Sequence, residues 1–193
     1  MKNFFETLED KIYEAVEKDI EPILKEIGDE RVYGVALVTD SDCITLYLAL
    51  NTYEHLKKKD EEYIEKFGNF FSEEQIKMAR EGSRCLTKWD EDEWGYTDGR
   101  NSELVKISEL LYKQEESNPK EYEKYHQQFL EIVTSVLKKF VDKKIFGEAS
   151  DEITYFVSMT DDKRTRDIEN QSARLLNSES VYKTFLERKT VLE

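Results

Sequence analysis

From Val32 to Thr39 the chain is a run of β-forming residues broken only by Gly34 and Ala36, and a second such run extends from Cys43 to Thr52. Between them lies Asp40-Ser41-Asp42, a short stretch of turn-forming residues. Two β-rich runs around a polar turn specify an antiparallel hairpin. Both faces of both runs are largely apolar, so the hairpin belongs in the middle of a sheet that is covered on both sides. No other stretch restricts the fold as tightly, and everything else is to be arranged around it.

The hairpin is preceded by a helical pattern over Met1 to Ile27, where Phe5, Leu8, Ile12, Val16, Ile20, Ile23 and Ile27 recur at three- and four-residue steps and Gly28 stands ready to end the helix. Pro22 removes one helical hydrogen bond, which predicts a kink or split near Asp19 to Glu21. Gly34 and Ala36 share a strand face small enough for a helix to lie close. A polar helix is predicted from Asn51 to Lys66, ending near Gly68, and Ser72-Glu73-Glu74-Gln75 opens another as a capping box that stops at Gly82.

Ser83 to Trp89 reads as a third strand, and Asp90 to Arg100 as an acidic loop. A helix starts at Asn101, and a long one follows Asn118-Pro119-Lys120-Glu121, where proline suits the first helical position. Tyr122, Tyr125, Phe129, Val133, Val136 and Phe140 form its apolar stripe, and Gly147 ends it. Ile153 to Met159 is the last strand. One of its faces is mixed (Thr154, Phe156, Ser158, Thr160), as expected of a partly exposed strand. Asp161 to Asp167 reads as a charged loop and Asn177 to Arg188 as the final helix. The expected class is therefore α+β: residues 1–193 as a single domain, an antiparallel sheet of about four strands with a central hairpin, packed against several helices.

Length and composition agree: 193 residues, 38% hydrophobic, suit one packed core. The formal net charge of −14 sets the surface against nucleic acid and anionic membranes, and in favour of a basic partner. The plainer account, that acidity maintains solubility, carries more weight. Only two cysteines are present, Cys43 and Cys85, each within a predicted strand, and they read as free core thiols of a reducing, cytoplasmic compartment. Neither a signal peptide nor a membrane span is expected.

No motif of catalysis stands out. His55 and His126 are far apart on polar helical stretches and read as surface histidines, not ligands, so no metal and no cofactor is expected. Gly-x-Ser-x-Gly and phosphate-cradling glycine loops are absent. The basic runs Lys57-Lys58-Lys59 and Asp162 to Arg166 read as solvated surface. The densest acidic run, Asp90-Glu91-Asp92-Glu93, lies between the only tryptophans, Trp89 and Trp94. Acids framed by aromatics make a candidate platform for a basic ligand, with Asp90, Asp92, Glu93 and Trp94 as its binding residues. Against that stands the reading in which Trp89 ends a strand in the core and Trp94 pins the loop.

The chain also resembles an uncharacterised bacterial family, domain-of-unknown-function family 4303. The resemblance rests on Tyr33 to Asp40, Ala49 to Glu54, Lys88-Trp89 with Glu93-Trp94-Gly95-Tyr96, and Ile153 to Asp161, in that order. It implies no established activity or catalytic residue. Small acidic α+β proteins of this kind suggest, by analogy of class, immunity proteins that neutralise a toxin. Three functions are thus expected in descending order. The first is a non-enzymatic module that binds a basic protein such as a toxin. The second is an enzyme with a site near Glu93, Asp40 and the hairpin end. The third is an oligomeric accessory protein pairing through the mixed face of Ile153 to Thr160, the oligomeric state itself being unspecified by the sequence.

Overall fold

The computed structural model describes residues 2–82, 86–117 and 122–189. Among them are four strands, β1 (Val32–Thr39), β2 (Leu46–Thr52), β3 (Tyr96–Thr97) and β4 (Thr154–Met159), and seven helices. These are α1 (Lys2–Ile27), α2 (Tyr53–Phe67), α3 (Glu73–Arg80), α4 (Glu103–Ser117), α5 (Tyr122–Lys143), α6 (Thr165–Leu176) and α7 (Glu179–Leu186). The sheet order is β3-β2-β1-β4, so the hairpin is central, and Val35, Leu37, Leu46 and Leu48 are all buried.

The sheet is mixed rather than purely antiparallel. β1 pairs antiparallel with β2, and β2 with β3, but β4 runs parallel to β1, with Gly34 opposite Thr154 and Thr39 opposite Met159. A parallel neighbour needs a crossover, and the helices between β3 and β4 supply it. The predicted strand over Ser83 to Trp89 is not formed in its described part: Leu86 to Trp89 is bend and turn, and residues 83–85, Cys85 included, lie outside the described residues. The third strand is instead the two-residue β3, inside the stretch read as loop.

One face of the sheet packs Val35, Leu37, Leu46, Leu48 and Leu50 with Tyr155, Val157 and Met159 against α1, α4 and α5. α1 is one helix, not split at Pro22. The missing bond and ring clash cost about 3 kcal/mol, whereas burying Ile20, Ile23 and Ile27 returns roughly 2 kcal/mol each. The buried Asp19 carboxylate accepts from the backbone N–H groups of Glu103 (2.9 Å) and Leu104 (2.8 Å) and so caps α4 from α1. The capping box at Ser72 and Gln75 is formed. Gly28, Gly82 and Gly147 end their segments with positive φ.

The other face carries Gly34, Ala36, Val38, Ala49 and Phe156, covered by α7, part of α2 and α6, and the two tryptophans. What lies on Gly34 itself is not a helix, as predicted, but the Trp94 indole. A bulge at Tyr33 turns that residue toward the same face, where its ring meets Trp94 edge-on at 6.0 Å.

β4 is not partly exposed: all six of its residues are buried. α6, unforeseen in the sequence, lies along its outer edge and replaces a neighbouring strand. Asn177, just past α6, accepts from the Tyr155 N–H (2.8 Å) and donates to the Tyr155 carbonyl (2.7 Å). The Ser172 hydroxyl accepts from the Val157 N–H (2.9 Å) and donates to its carbonyl (3.3 Å). This edge therefore offers no row of unpaired groups to a second copy.

Cys43 lies in the turn before β2, with φ 56°, rather than within a strand; burial, then the Asp40 charge, pushes its thiol up to about 12, so it is an inert thiol. His126 is buried, not at the surface, and burial followed by the Arg164 charge lowers its pKa. No helix among the described residues is long and apolar enough to cross a membrane.

Candidate functional site

The stretch from Thr87 to Asp98 is nailed to the sheet at many points. Thr87 donates its N–H (3.2 Å) and hydroxyl (2.7 Å) to Asp60 of α2. The Lys88 carbonyl accepts from the Tyr33 hydroxyl (2.8 Å) and from the Trp94 indole N–H (3.0 Å). Asn51, buried on β2, donates to the Tyr33 hydroxyl and accepts from the Gly95 N–H, which ties strand, bulge and loop into one polar network. After β3, the Asp98 N–H donates to the Leu48 carbonyl at 3.1 Å.

Within this frame the four acidic side chains have different fates. Asp90 and Asp92 are exposed. Glu93 is half-buried and pairs with Lys59 of α2 at 2.7 Å. Asp92 receives a long hydrogen bond, 3.4 Å, from the Tyr47 hydroxyl. Partial burial, then the Asp92 and Glu93 charges, raises the pKa of Asp90. Trp94 is only 6% exposed, wedged between Gly34, Tyr33 and Phe156. Of the four binding residues read from the sequence, Asp90, Asp92 and Glu93 are therefore brought together at the surface, while Trp94 is the bolt that holds them there.

The residue passed over in that run, Glu91, is the unusual one. It points inward, and its Oε1 is sealed from solvent without a hydrogen-bond partner. Burial, then the negative charge of Glu169 on α6, raises its pKa to about 7, with a hydrogen bond to the Ser158 hydroxyl opposing the shift. Ser158, on the second face of β4, donates to Glu169 at 2.8 Å, and Glu169 pairs with Arg188 at 2.6 Å, both side chains being at most 10% exposed. No local pattern marks Glu91: it differs from its acidic neighbours only in the direction a 3₁₀ turn over Glu91–Glu93 gives it.

Clefts open between the helices and beside the aromatic cluster on the surface of the described residues. A groove of about 630 Å³ lies between α5 and α6, lined by Leu130, Thr134, Ile168 and Leu175. A second, of about 370 Å³, lies between α2 and α3 and includes Asp60, Glu61 and Lys88. The third, of about 260 Å³, is walled by Tyr33, Tyr53, Lys88 and Trp89, with Asp151 and Glu152 also in its lining. Asp40 and Glu93 line none of them; the Asp40 carboxylate closes its own turn by accepting from the Ile44 N–H at 2.9 Å. Among the described residues no group of three or more His, Cys, Asp or Glu side chains is placed to hold a metal ion. The basic runs are engaged locally: Lys59 with Glu93, and Arg164 with Asp162, whose carboxyl is held down to about 2 by that guanidinium.

A family model described as "Domain of unknown function (DUF4303)" matches residues 12–178, from the first turns of α1 to the residue before α7. No curated protein and no solved structure matches the chain.

Proposed function

The chain belongs to the DUF4303 family, and on that premise we propose that it is a non-enzymatic binding module for a basic protein. One form such a module takes is an immunity protein that masks the basic surface of a bacterial toxin. The observation that carries this reading is the preorganised acidic turn. Trp94 packs inward and its indole N–H donates to the Lys88 carbonyl, which fixes the backbone, so Asp90 and Asp92 are held in solvent with Glu93 beside them. A partner then meets negative charge on a rigid loop and does not have to order it, which lowers the entropic cost of association. The net charge of −14 adds long-range attraction for a basic surface.

The enzyme reading has less to support it. Glu93 and Asp40 line none of the three clefts, and Glu91, the carboxyl whose pKa is raised to about 7, faces the protein interior rather than a cleft. The test is affinity capture from the native host with wild type and with the Asp90→Asn, Asp92→Asn, Glu93→Gln triple variant. The expected result is a basic protein, encoded beside this gene, retained by wild type, weakened by salt and lost in the variant. Recovery of chaperones alone, or equal retention by both proteins, overturns the proposal.

A further inference from the structure

The cleft walled by Tyr33, Tyr53 and Trp89 contains a cation already. The Lys88 ammonium sits 5.3 Å from the ring centre of Tyr33, 5.5 Å from that of Tyr53 and 5.0 Å from that of Trp89. All three distances fall within the range in which a ring face attracts a cation. The Arg31 guanidinium lies over the Tyr53 ring as well, at 5.4 Å. The walls thus form an aromatic box that the chain fills with its own side chain. Tyr53 is 43% exposed, so the box opens to solvent.

We propose that this box is a receptor for a single arginine or lysine side chain of the basic partner, which enters by displacing the ammonium of Lys88. The proposal rests on the binding-module reading and extends it to a specific contact. Three features favour a cation over an anion. The rings present their faces to a positive charge already. Carboxylates line the same cleft, Glu152 and an Asp151 that already pairs with Lys144 at 2.7 Å. Asp90 follows Trp89 directly in the chain, which makes the box continuous with the acidic turn.

The displaced ammonium also has somewhere to go. Lys88 and Tyr53 line the neighbouring cleft too, where the Asp60 carboxyl lies near enough to feel the lysine's charge. The fixed hydrogen bonds of Lys88 to Tyr33 and Trp94 use its backbone carbonyl, so the side chain can leave without breaking them.

The test titrates Nα-acetyl-arginine amide into wild type, Lys88→Ala and Lys88→Ala/Tyr53→Ala, with the uncharged citrulline amide as control, following the Trp89 indole signal by NMR. Emptying the box is expected to tighten arginine binding about tenfold, removing one wall to reverse the gain, and citrulline to bind in neither case. No gain in Lys88→Ala, a gain that survives loss of Tyr53, or equal binding of citrulline overturns the proposal. If Lys88→Ala does not fold, the wild-type titration decides alone: the Trp89 signal moves with arginine amide and not with citrulline amide, or the box is not a cation site. The small-molecule titration reads the box alone and the affinity capture reads the acidic turn, so failure of the box with capture intact and failure of capture with the box intact are told apart.

Discussion

Replacing Glu91 by glutamine tests whether the acidic turn is held by a buried, protonated carboxyl. In the fold the Glu91 side chain faces Glu169 of α6 and Ser158 of β4, with Asp90 and Asp92 beside it in the turn, Tyr47 of β2 across from them and Arg188 behind Glu169. Arg188 is paired with Glu169 at 2.6 Å and Glu91 is the least of the charges acting on it, so burial and the Glu169 charge prevail at Glu91. The proton is therefore retained to about pH 7 instead of the ordinary 4.5. The folded state binds more protons than the unfolded state between those values, so the contribution of Glu91 is fully favourable below about pH 4.5. It declines as pH rises and is exhausted above about pH 7. At 1.36 kcal/mol per pH unit the ceiling is about 3 kcal/mol. Glutamine keeps the shape, cannot ionise and offers an amide N–H to the Glu169 carboxylate. Urea unfolding at pH 5 should find the two proteins within about 0.5 kcal/mol, and at pH 8 should find Glu91→Gln more stable by about 1–3 kcal/mol. Stability curves that stay parallel from pH 5 to 8 would refute the buried-proton argument.

Two further substitutions probe how the turn and the sheet are braced. Gly34→Ala places a methyl group 2.7 Å from Cη2 and 3.0 Å from Cζ2 of the trapped Trp94 ring; overpacking in the upper part of the usual range, about 2–3 kcal/mol, less about 0.5–1 kcal/mol for removing glycine's entropy, leaves about 1–2.5 kcal/mol and should lower Tm by roughly 2–10 °C. A melt followed by tryptophan fluorescence and unmoved by the methyl group would mean that the ring does not sit on Gly34. Asp19→Ala strips two backbone donors at the start of α4 of a charged acceptor and should cost about 2–4 kcal/mol in chemical denaturation; a loss below about 0.5 kcal/mol would show that the cap is not needed.

Legibility in the sequence followed the range of the interaction. The hairpin, the apolar stripes of α1 and α5, the capping box at Ser72 and the glycine stops at Gly28, Gly82 and Gly147 are all set by contacts within a few residues, and all were readable from spacing alone. α6 escaped because its buried positions are Glu169, Ser172, Ala173 and Leu176, three of them polar or tiny, so the face it buries is not the stripe of large apolar residues that marks a helix by eye. Ser172 and Glu169 are polar because they serve an edge strand and an ion pair, tasks invisible until β4 and Arg188 are in place.

What the amino-acid order determined by itself was a central apolar ribbon, the helices around it apart from α6, and an acidic run between two tryptophans. Only the tertiary structure decided that β4 joins β1 in parallel, that Glu91 turns inward while Asp90 and Asp92 turn out, and that Lys88 comes to rest among three aromatic rings. The reason is distance along the chain: Gly34 and Trp94, Glu91 and Glu169, and Lys88 and Tyr33 are separated by tens of residues. Their meeting depends on loop closure and packing that no local period encodes.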